Sequence, residues 1–280
     1  VDWKKLDELR LAGAPRFEVG QEEGQEVKVV TYNFDDSKRF PKALSQVELL
    51  HLTDLQLGSK GFQRAKFVEY RDWVLGVPNR FVFLGGDVID AATVLSIASP
   101  YDNTGEPIDQ VDEAVEILKP LQVAGRLLGY VGGNHERRTI KTFGDCGRLI
   151  ARALEVPYSR GVQHVDIRFG KHQPFKVSLW HGTGGAATKG TLAQKLHRLM
   201  NKGDSQLYFM GHHHQAMVLP GWRQERDRGR IKLRKIMGVA STSFQAWWNS
   251  YAEVAMLEPS ETMMGRAILE PPGHWEVTLR

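Results

Sequence analysis

Five short apolar runs in this 280-residue chain each stop at a polar cluster whose residue types bind metals. Leu49–Thr53 runs into Asp54-Leu55-Gln56, Phe81–Leu84 into Gly85-Gly86-Asp87, and Leu127–Val131 into Gly132-Gly133-Asn134-His135-Glu136. Val177–Trp180 runs into His181-Gly182, and Leu207–Met210 into Gly211-His212-His213-His214. Neutral imidazole together with carboxylate suits Mn²⁺, Fe or Zn²⁺, whereas an all-oxygen set favours Mg²⁺ or Ca²⁺. Asp54, Gln56, Asp87, Asn134, His135, His181, His212 and His214 outnumber the needs of one ordinary ion. Two ions sharing a carboxylate would use them all, and a pair about 3.5–4 Å apart can hold a hydroxide and stabilise in-line attack on phosphorus. Singly, each residue has a duller reading. An Asp after a strand is more often a helix cap, and a lone His such as His181 is more often a satisfied core residue. His212 and His214, two apart, share a face of an extended segment, from which His213 points away.

Runs of four or five apolar residues are the pattern of strands buried on both faces. Helical spacing lies between several of them, over Gly61 to Val74, Val111 to Leu121 and Leu192 to Met200. Alternating strands and helices predict an α/β sheet, in which ligand groups gather beyond the carboxyl ends of the strands. Five strand ends would then deliver the polar clusters to one rim. The segments Ile231–Val239, Ala252–Leu257, Arg266–Glu270 and Trp275–Arg280 read as strands of a second, more antiparallel sheet. Ahead of the first motif, Trp3 to Leu11 has helical spacing, and a hairpin around Gly20 to Gly24 is expected. Ser99 to Asp109 reads as a loop. We expect one domain over 1–280, with an N-terminal helix and hairpin extension (1–46), the metal-binding motifs (47–214) and the C-terminal strands (215–280).

Composition bounds the function. Hydrophobic residues make up 41% and charged residues 25%, which excludes a wholly disordered chain. A chain this long buries enough core to fold without a structural metal, so a metal site here is expected to be catalytic. The one cysteine, Cys146, excludes an internal disulfide and a Cys-rich zinc site. The net charge of +4 permits polyanion binding without demonstrating it. No apolar run reaches the roughly 18 residues of a membrane span, and no apolar segment follows the charged N-terminus as in a signal peptide. The expectation is a cytoplasmic protein with no membrane partner.

The ordered set Asp54-Leu55-Gln56, Gly86-Asp87, Gly133-Asn134-His135-Glu136, His181 and Gly211-His212-His213-His214 resembles the calcineurin-like metallophosphoesterases. That family shows D-x-H, G-D, G-N-H-E/D, H and G-H-x-H in this order. The resemblance covers residues 47 to 214 and implies a four-layer α/β/β/α sandwich of two mixed sheets flanked by helices. It implies two divalent ions, with Mn²⁺ favoured over Fe, Zn²⁺ or Mg²⁺. Asp54 and His214 would hold the first ion with residue 56 beside them, Asp87 would bridge, and Asn134, His181 and His212 would hold the second. His135 would sit over the phosphate as leaving-group acid or electrostatic stabiliser. Asp90 would orient His135 from the second shell or cap a helix, the cap being the slightly favoured reading. His51 is not a ligand position. Gln56 departs from the family pattern: an amide is an uncharged, weaker donor than imidazole.

The substrate is expected to be a phosphodiester, in nucleic acid or nucleotides. Gly86-Asp87-Val88-Ile89-Asp90-Ala91-Ala92 lacks the Arg and Gly of the G-D-x-x-D-R-G found in the superfamily's protein phosphatases. The opening Leu50–Leu55 is more similar to the nuclease and phosphodiesterase branches. Between Gly221 and Lys235 stand seven Lys and Arg against Glu225 and Asp227. If extended, this stretch puts Arg228, Arg230, Lys232 and Arg234 on one face, as a track for a phosphate backbone or as a solvated hairpin. Arg137 and Arg138 follow His135 and are further candidates for phosphate contact. One of Trp247 and Trp248, expected in a strand, could stack a base. The alternatives are a broad-range phosphomonoesterase and, less favoured, a non-catalytic scaffold whose site has decayed.

Overall fold

A computed structural model describes residues 17–20, 29–34, 44, 46–93, 96, 101, 103–186, 188–227, 229–248, 250–254, 256, 258–271 and 273–280. The expected helix over 3–11 and the turn of the expected hairpin after Gly20 lie outside them. Thirteen strands run, in chain order, β1 Phe17–Gly20, β2 Val29–Asn33, β3 Val47–Leu52, β4 Arg80–Leu84, β5 Leu127–Val131, β6 Tyr158–Ser159, β7 Gln163–Arg168, β8 Phe175–Trp180, β9 Leu207–Met210, β10 Met217–Asp227, β11 Arg230–Ala240, β12 Gly265–Glu270 and β13 His274–Leu279. The helices are α1 Arg64–Leu75, α2 Pro107–Val123, α3 Asn134–Thr139, α4 Cys146–Ala153, α5 Lys189–Met200 and α6 Tyr251–Val254.

The strands form two mixed sheets, one ordered β1-β2-β7-β8-β9-β11-β10 and one ordered β13-β12-β3-β4-β5-β6. Side chains alternate across each strand, so each apolar run feeds two cores. Leu49, Phe81 and Phe83 meet Val177, Leu179, Leu207 and Phe209 between the sheets. Leu50, Leu52, Val82 and Leu84 face the other way, onto residues of α1, α2 and α4. Tyr208, Met210 and Ile236 pack on Leu192, Leu196 and Met200 of α5. Three cores between four layers make the α/β/β/α sandwich. Burial on both faces is what makes Phe81–Leu84 of β4 and Leu207–Met210 of β9 unbroken apolar runs.

The helices follow local signals. α2 opens with Pro107 after a reciprocal cap between Glu106 and Asp109, and buries Val111, Ala114, Ile117, Leu118 and Leu121 along one stripe. The Thr188 hydroxyl accepts from the Thr191 N–H at the start of α5.

Two expectations about the sheets need correction. The motif strands do not share one sheet: β3, β4 and β5 lie in one, and β8 and β9 in the other. The C-terminal strands do not make a sheet of their own, since β11 pairs with β9 while β12 pairs with β3. Apolar runs are alike in either sheet, so sequence alone could not apportion them. The stretch after Ala252 is likewise no strand. The Ser250 hydroxyl donates to the Trp247 carbonyl and accepts the Ala252 N–H, starting the short helix α6 instead.

Candidate active site

The carboxyl ends of β3, β4 and β5 in one sheet and of β8 and β9 in the other meet at one edge of the sandwich. Asp54 and Gln56 follow β3, Asp87 follows β4, Asn134 and His135 open α3 after β5, His181 follows β8, and His212 and His214 follow β9. Asp54, Gln56, Asp87, His212 and His214 all have left-handed backbone, with φ between 50° and 73°. Non-glycine residues rarely adopt that conformation, which costs of order 1–3 kcal/mol each. It is also why His212 and His214 do not sit on an extended segment as expected: a turn aims each of them.

Glycines allow the loops to close on one another. A Cβ on Gly133 would overlap Asp87 Oδ1, and one on Gly211 would overlap the Thr53 hydroxyl and Asp54 Oδ2.

Two clusters result. In the first, His214 Nε2 lies 3.1 Å from Asp54 Oδ1 and 3.4 Å from the Gln56 side-chain nitrogen. The Asp54 carboxylate also accepts from the His212 N–H at 2.9 Å. The two ends of the Gln56 amide are interchangeable by a flip, which would turn its oxygen to the cluster. In the second, His181 Nε2 is 3.1 Å from both Asp87 Oδ2 and Asn134 Oδ1. His181 Nδ1 is 2.8 Å from the Gly85 carbonyl, an acceptor, so Nδ1 carries a proton and Nε2 faces the carboxylate and amide. One donor atom each from Asp87, His181 and His212 lies within 4.8 Å of the others, a spacing that a metal ion can close.

The electrostatics follow from burial. Desolvation alone would raise the Asp87 carboxyl, but the charges of His135 and His181 outweigh it and hold Asp87 well below the usual carboxylate range. Asp54 behaves alike, with His214 the chief counterweight to burial. Burial pulls His181 down, yet Asp87 beside it pushes it up to about 9. His212, with burial and His181 acting together, falls to about 4.

His135 stands over the second cluster, its Nε2 3.6 Å from Asp87 Oδ2 and its N–H bonded to Asp87 Oδ1 at 2.8 Å. Asp90 holds the ring from behind. His135 Nδ1 is 3.0 Å from Asp90 Oδ1 and 2.8 Å from the Asp90 carbonyl. Asp90 therefore orients His135 and does not cap a helix, contrary to the favoured expectation. Asn103 in turn donates to the other Asp90 oxygen.

Sequence reasoning gave Glu136 no role, although it stands in the third motif. Wholly buried, it accepts the N–H groups of Asp87 at 3.0 Å, Val88 at 2.6 Å and Gly133 at 2.7 Å, and the Tyr130 hydroxyl at 3.0 Å. It thereby ties the β4 loop to the start of α3. The visible signal was its spacing: a Glu three residues after Gly133 can close a capping box. His51 belongs to the inter-sheet core, stacked on Phe209 with centroids 5.0 Å apart.

The cations divide. Arg138 is near enough for its charge to act on both His135 and Asp90, and it donates to the Ser96 hydroxyl. Arg137 turns to the Arg160 carbonyl instead. Arg230 does not flank the site. β11 runs parallel to β9 and reaches the site with Ala240, beside Met210. Arg230 is ten residues back along that strand, roughly 33 Å away. Nearness in sequence to His214 was misleading because the long hairpin first leads away from the site and then returns. Arg228 lies outside the described residues. Trp247 and Trp248 sit in a turn, not a strand, with rings edge to face 4.8 Å apart. Trp247, His214 and Gln245 line a shallow cleft beside the first cluster.

No protein-family model matches the chain, and no curated protein matches it in sequence. Among solved structures it is similar to the NAD nucleotidase NadN of Haemophilus influenzae at 12% identity and a TM-score of 0.41, covering 83% of this chain and 49% of that one. The chain thus spans about half the length of that protein. It is also similar to Vps29 of Chaetomium thermophilum, at 10% identity and a TM-score of 0.39 over 85% of this chain and 96% of that one. A third likeness is to the nuclease MPE of Pseudomonas putida, at 10% identity and a TM-score of 0.34 over 94% of this chain and 100% of that one. At such values no substrate carries over. The resemblance to the calcineurin-like metallophosphoesterases, drawn from the ordered motifs, is met by a fold of the kind it implies. Among the described residues no helix is long and apolar enough to cross a membrane.

Proposed function

We propose that this chain is a dinuclear metal-dependent phosphoesterase that hydrolyses phosphodiesters in nucleic acid or nucleotides. The observation that carries the reading is the convergence of Asp54, Asp87, Asn134, His181, His212 and His214, from two sheets, with histidine nitrogens and carboxylate oxygens facing one another. Carboxylate, amide oxygen and imidazole form a donor set suited to Mn²⁺, Fe or Zn²⁺, and Mn²⁺ is the ion we favour. Asp54, His214 and Gln56 would hold one ion, Asn134, His181 and His212 the other, and Asp87 both. Bound there, the pair would neutralise phosphate charge and activate water.

The chain's own groups supply the rest. Asp90 fixes the proton of His135 on Nδ1 and the ring over Asp87, so that Nε2 can hand a proton to the departing alkoxide. Arg138, behind His135, adds positive charge where a phosphate would dock. Glu136 keeps Asp87 and Asn134 in register by binding both of their loops.

Bis-p-nitrophenyl phosphate and p-nitrophenyl phosphate, assayed with Mn²⁺, test this. The expected result is diester hydrolysis that falls by at least about 10³-fold in Asp87→Ala. Turnover of the monoester alone would instead support a phosphomonoesterase, and no turnover with Mn²⁺, Fe²⁺, Zn²⁺ or Mg²⁺ a non-catalytic scaffold.

A further inference from the structure

β10 and β11 are each 11 residues long, yet only Met237–Ala240 pairs with β9. The remainder projects as a two-stranded arm, away from the metal-binding edge. Arg223 anchors its base, donating to the Met200 carbonyl at 2.6 Å and the Tyr208 hydroxyl at 2.9 Å. One face of the arm prolongs the inter-sheet core, and there Trp222, Ile231 and Leu233 are left 64–68% exposed. Their cross-strand partners on that face are Lys235, Arg226 and Gln224 respectively. Each apolar side chain thus has a cation or an amide directly opposite, while Trp222, Leu233 and Ile231 are neighbours diagonally and along the strand. The opposite face carries Arg230, Lys232 and Arg234, with Arg234 bridged to Glu225 at 2.7 Å.

At the base of the arm, at the end of the sandwich opposite the metal ligands, lies a cavity of about 250 Å³. Phe175 and Trp275 line it, edge to face with centroids 5.1 Å apart, together with Lys176, Gln206 and Arg234. Glu270, beside His274, also lines the cavity, and Lys176 and Arg234 are paired with Asp204 and Glu225, so a phosphate would enter by exchanging these ion pairs while its base packs on the aromatic rings.

We propose that the β10–β11 arm and this cavity form a second, non-catalytic binding site for single-stranded nucleic acid. The tip of the arm lies roughly 33 Å from the metal-binding edge, and the cavity, beside Phe175 and Gln206 at the starts of β8 and β9, roughly 15–20 Å from it, as the strand lengths set. Seven Lys and Arg against two carboxylates between Gly221 and Lys235 supply the charge complementary to phosphates. The cavity selects single strands because a base within a duplex is not free to enter. The inference rests on the phosphodiester reading for its substrate, but its test does not depend on catalysis.

The probe is a fluorescein-labelled 30-nucleotide single strand, followed by anisotropy in EDTA. Wild-type protein binds it, and affinity falls steeply with KCl. Arg230→Glu combined with Lys232→Glu, two cations of one face, weakens binding at least about tenfold and reduces the salt slope by about 1.4, since each lost phosphate contact removes about 0.7. Trp275→Ala weakens binding about tenfold, as for one lost stacking contact. Asp87→Asn binds like wild type. Circular dichroism melts verify that each variant is folded. Loss of binding in the arm and cavity variants supports the exosite even if bis-p-nitrophenyl phosphate is not hydrolysed, in which case only the catalytic reading falls. Equal binding by wild type and variants, or no binding by wild type, overturns the exosite whatever the hydrolysis result. Arm-dependent capture by phosphatidylserine vesicles in place of the oligonucleotide also overturns it, in favour of a lipid surface.

Discussion

Glu136 shows how much of the site depends on a residue that touches no ligand. Its two oxygens serve four backbone N–H groups and a tyrosine hydroxyl, all buried. In Glu136→Gln an amide NH₂ would replace one acceptor and face donors, leaving buried groups unsatisfied at about 1–3 kcal/mol. We expect a stability loss of about 2–3 kcal/mol in urea titration, and diester hydrolysis lowered at least about a hundredfold because Asp87 loses its support. Wild-type activity in a folded Glu136→Gln protein would remove this role. Gln56 is the complementary case, a position beside His214 where an amide stands in for a stronger donor. Gln56→His should tighten Mn²⁺ binding about tenfold by calorimetry. Identical isotherms would mean that residue 56 is not a ligand.

At the scale of elements, the sequence carried the strands and helices well where burial is two-sided or a cap is present. Leu207–Met210 and Leu127–Val131 coincide with β9 and β5. It also pointed to which polar residues converge at the strand ends, because polar residues at the ends of apolar runs have few structural reasons to recur. What it could not carry was the partition between sheets, since Leu49 and Leu179 look alike in one dimension but face each other across the sandwich. Left-handed turns were equally hidden: nothing in the letters Asp54 or His212 announces positive φ. The far end of the sheets shows the same difficulty. Glu48, buried in β3, meets Arg80 of β4 at 3.1 Å and Arg266 of β12 at 2.8 Å. Arg80 also lies on the Trp73 ring at 3.7 Å, joining three strands to α1. Removing one partner of a buried pair strands the other charges, so Glu48→Ala should cost about 3 kcal/mol. Chemical denaturation measures it, and a loss below about 1 kcal/mol would show that the cluster behaves as a surface network.

For the molecule as a whole, candidate ligands drawn from both sheets would make metal binding a contribution to cohesion between them. At Mn²⁺ a hundredfold above its dissociation constant, the folded state should gain about 2.7 kcal/mol. In a chain of this length that raises the melting temperature by about 5–10 °C. Calorimetry with Mn²⁺ and with EDTA reads the difference. It should vanish in Asp87→Ala, and a melting temperature indifferent to Mn²⁺ in the wild type would argue against metal binding altogether.

The split of donors between the sheets also fixes when, during synthesis, a cation can be captured. Asp54, Asp87 and Asn134 leave the ribosome early, but His181, His212 and His214 follow from the opposing layer. A nascent chain halted before residue 181 holds the carboxylates without any of these imidazole partners. On the proposed reading, tight capture would be a late event, reserved for chains whose two halves have already closed on each other.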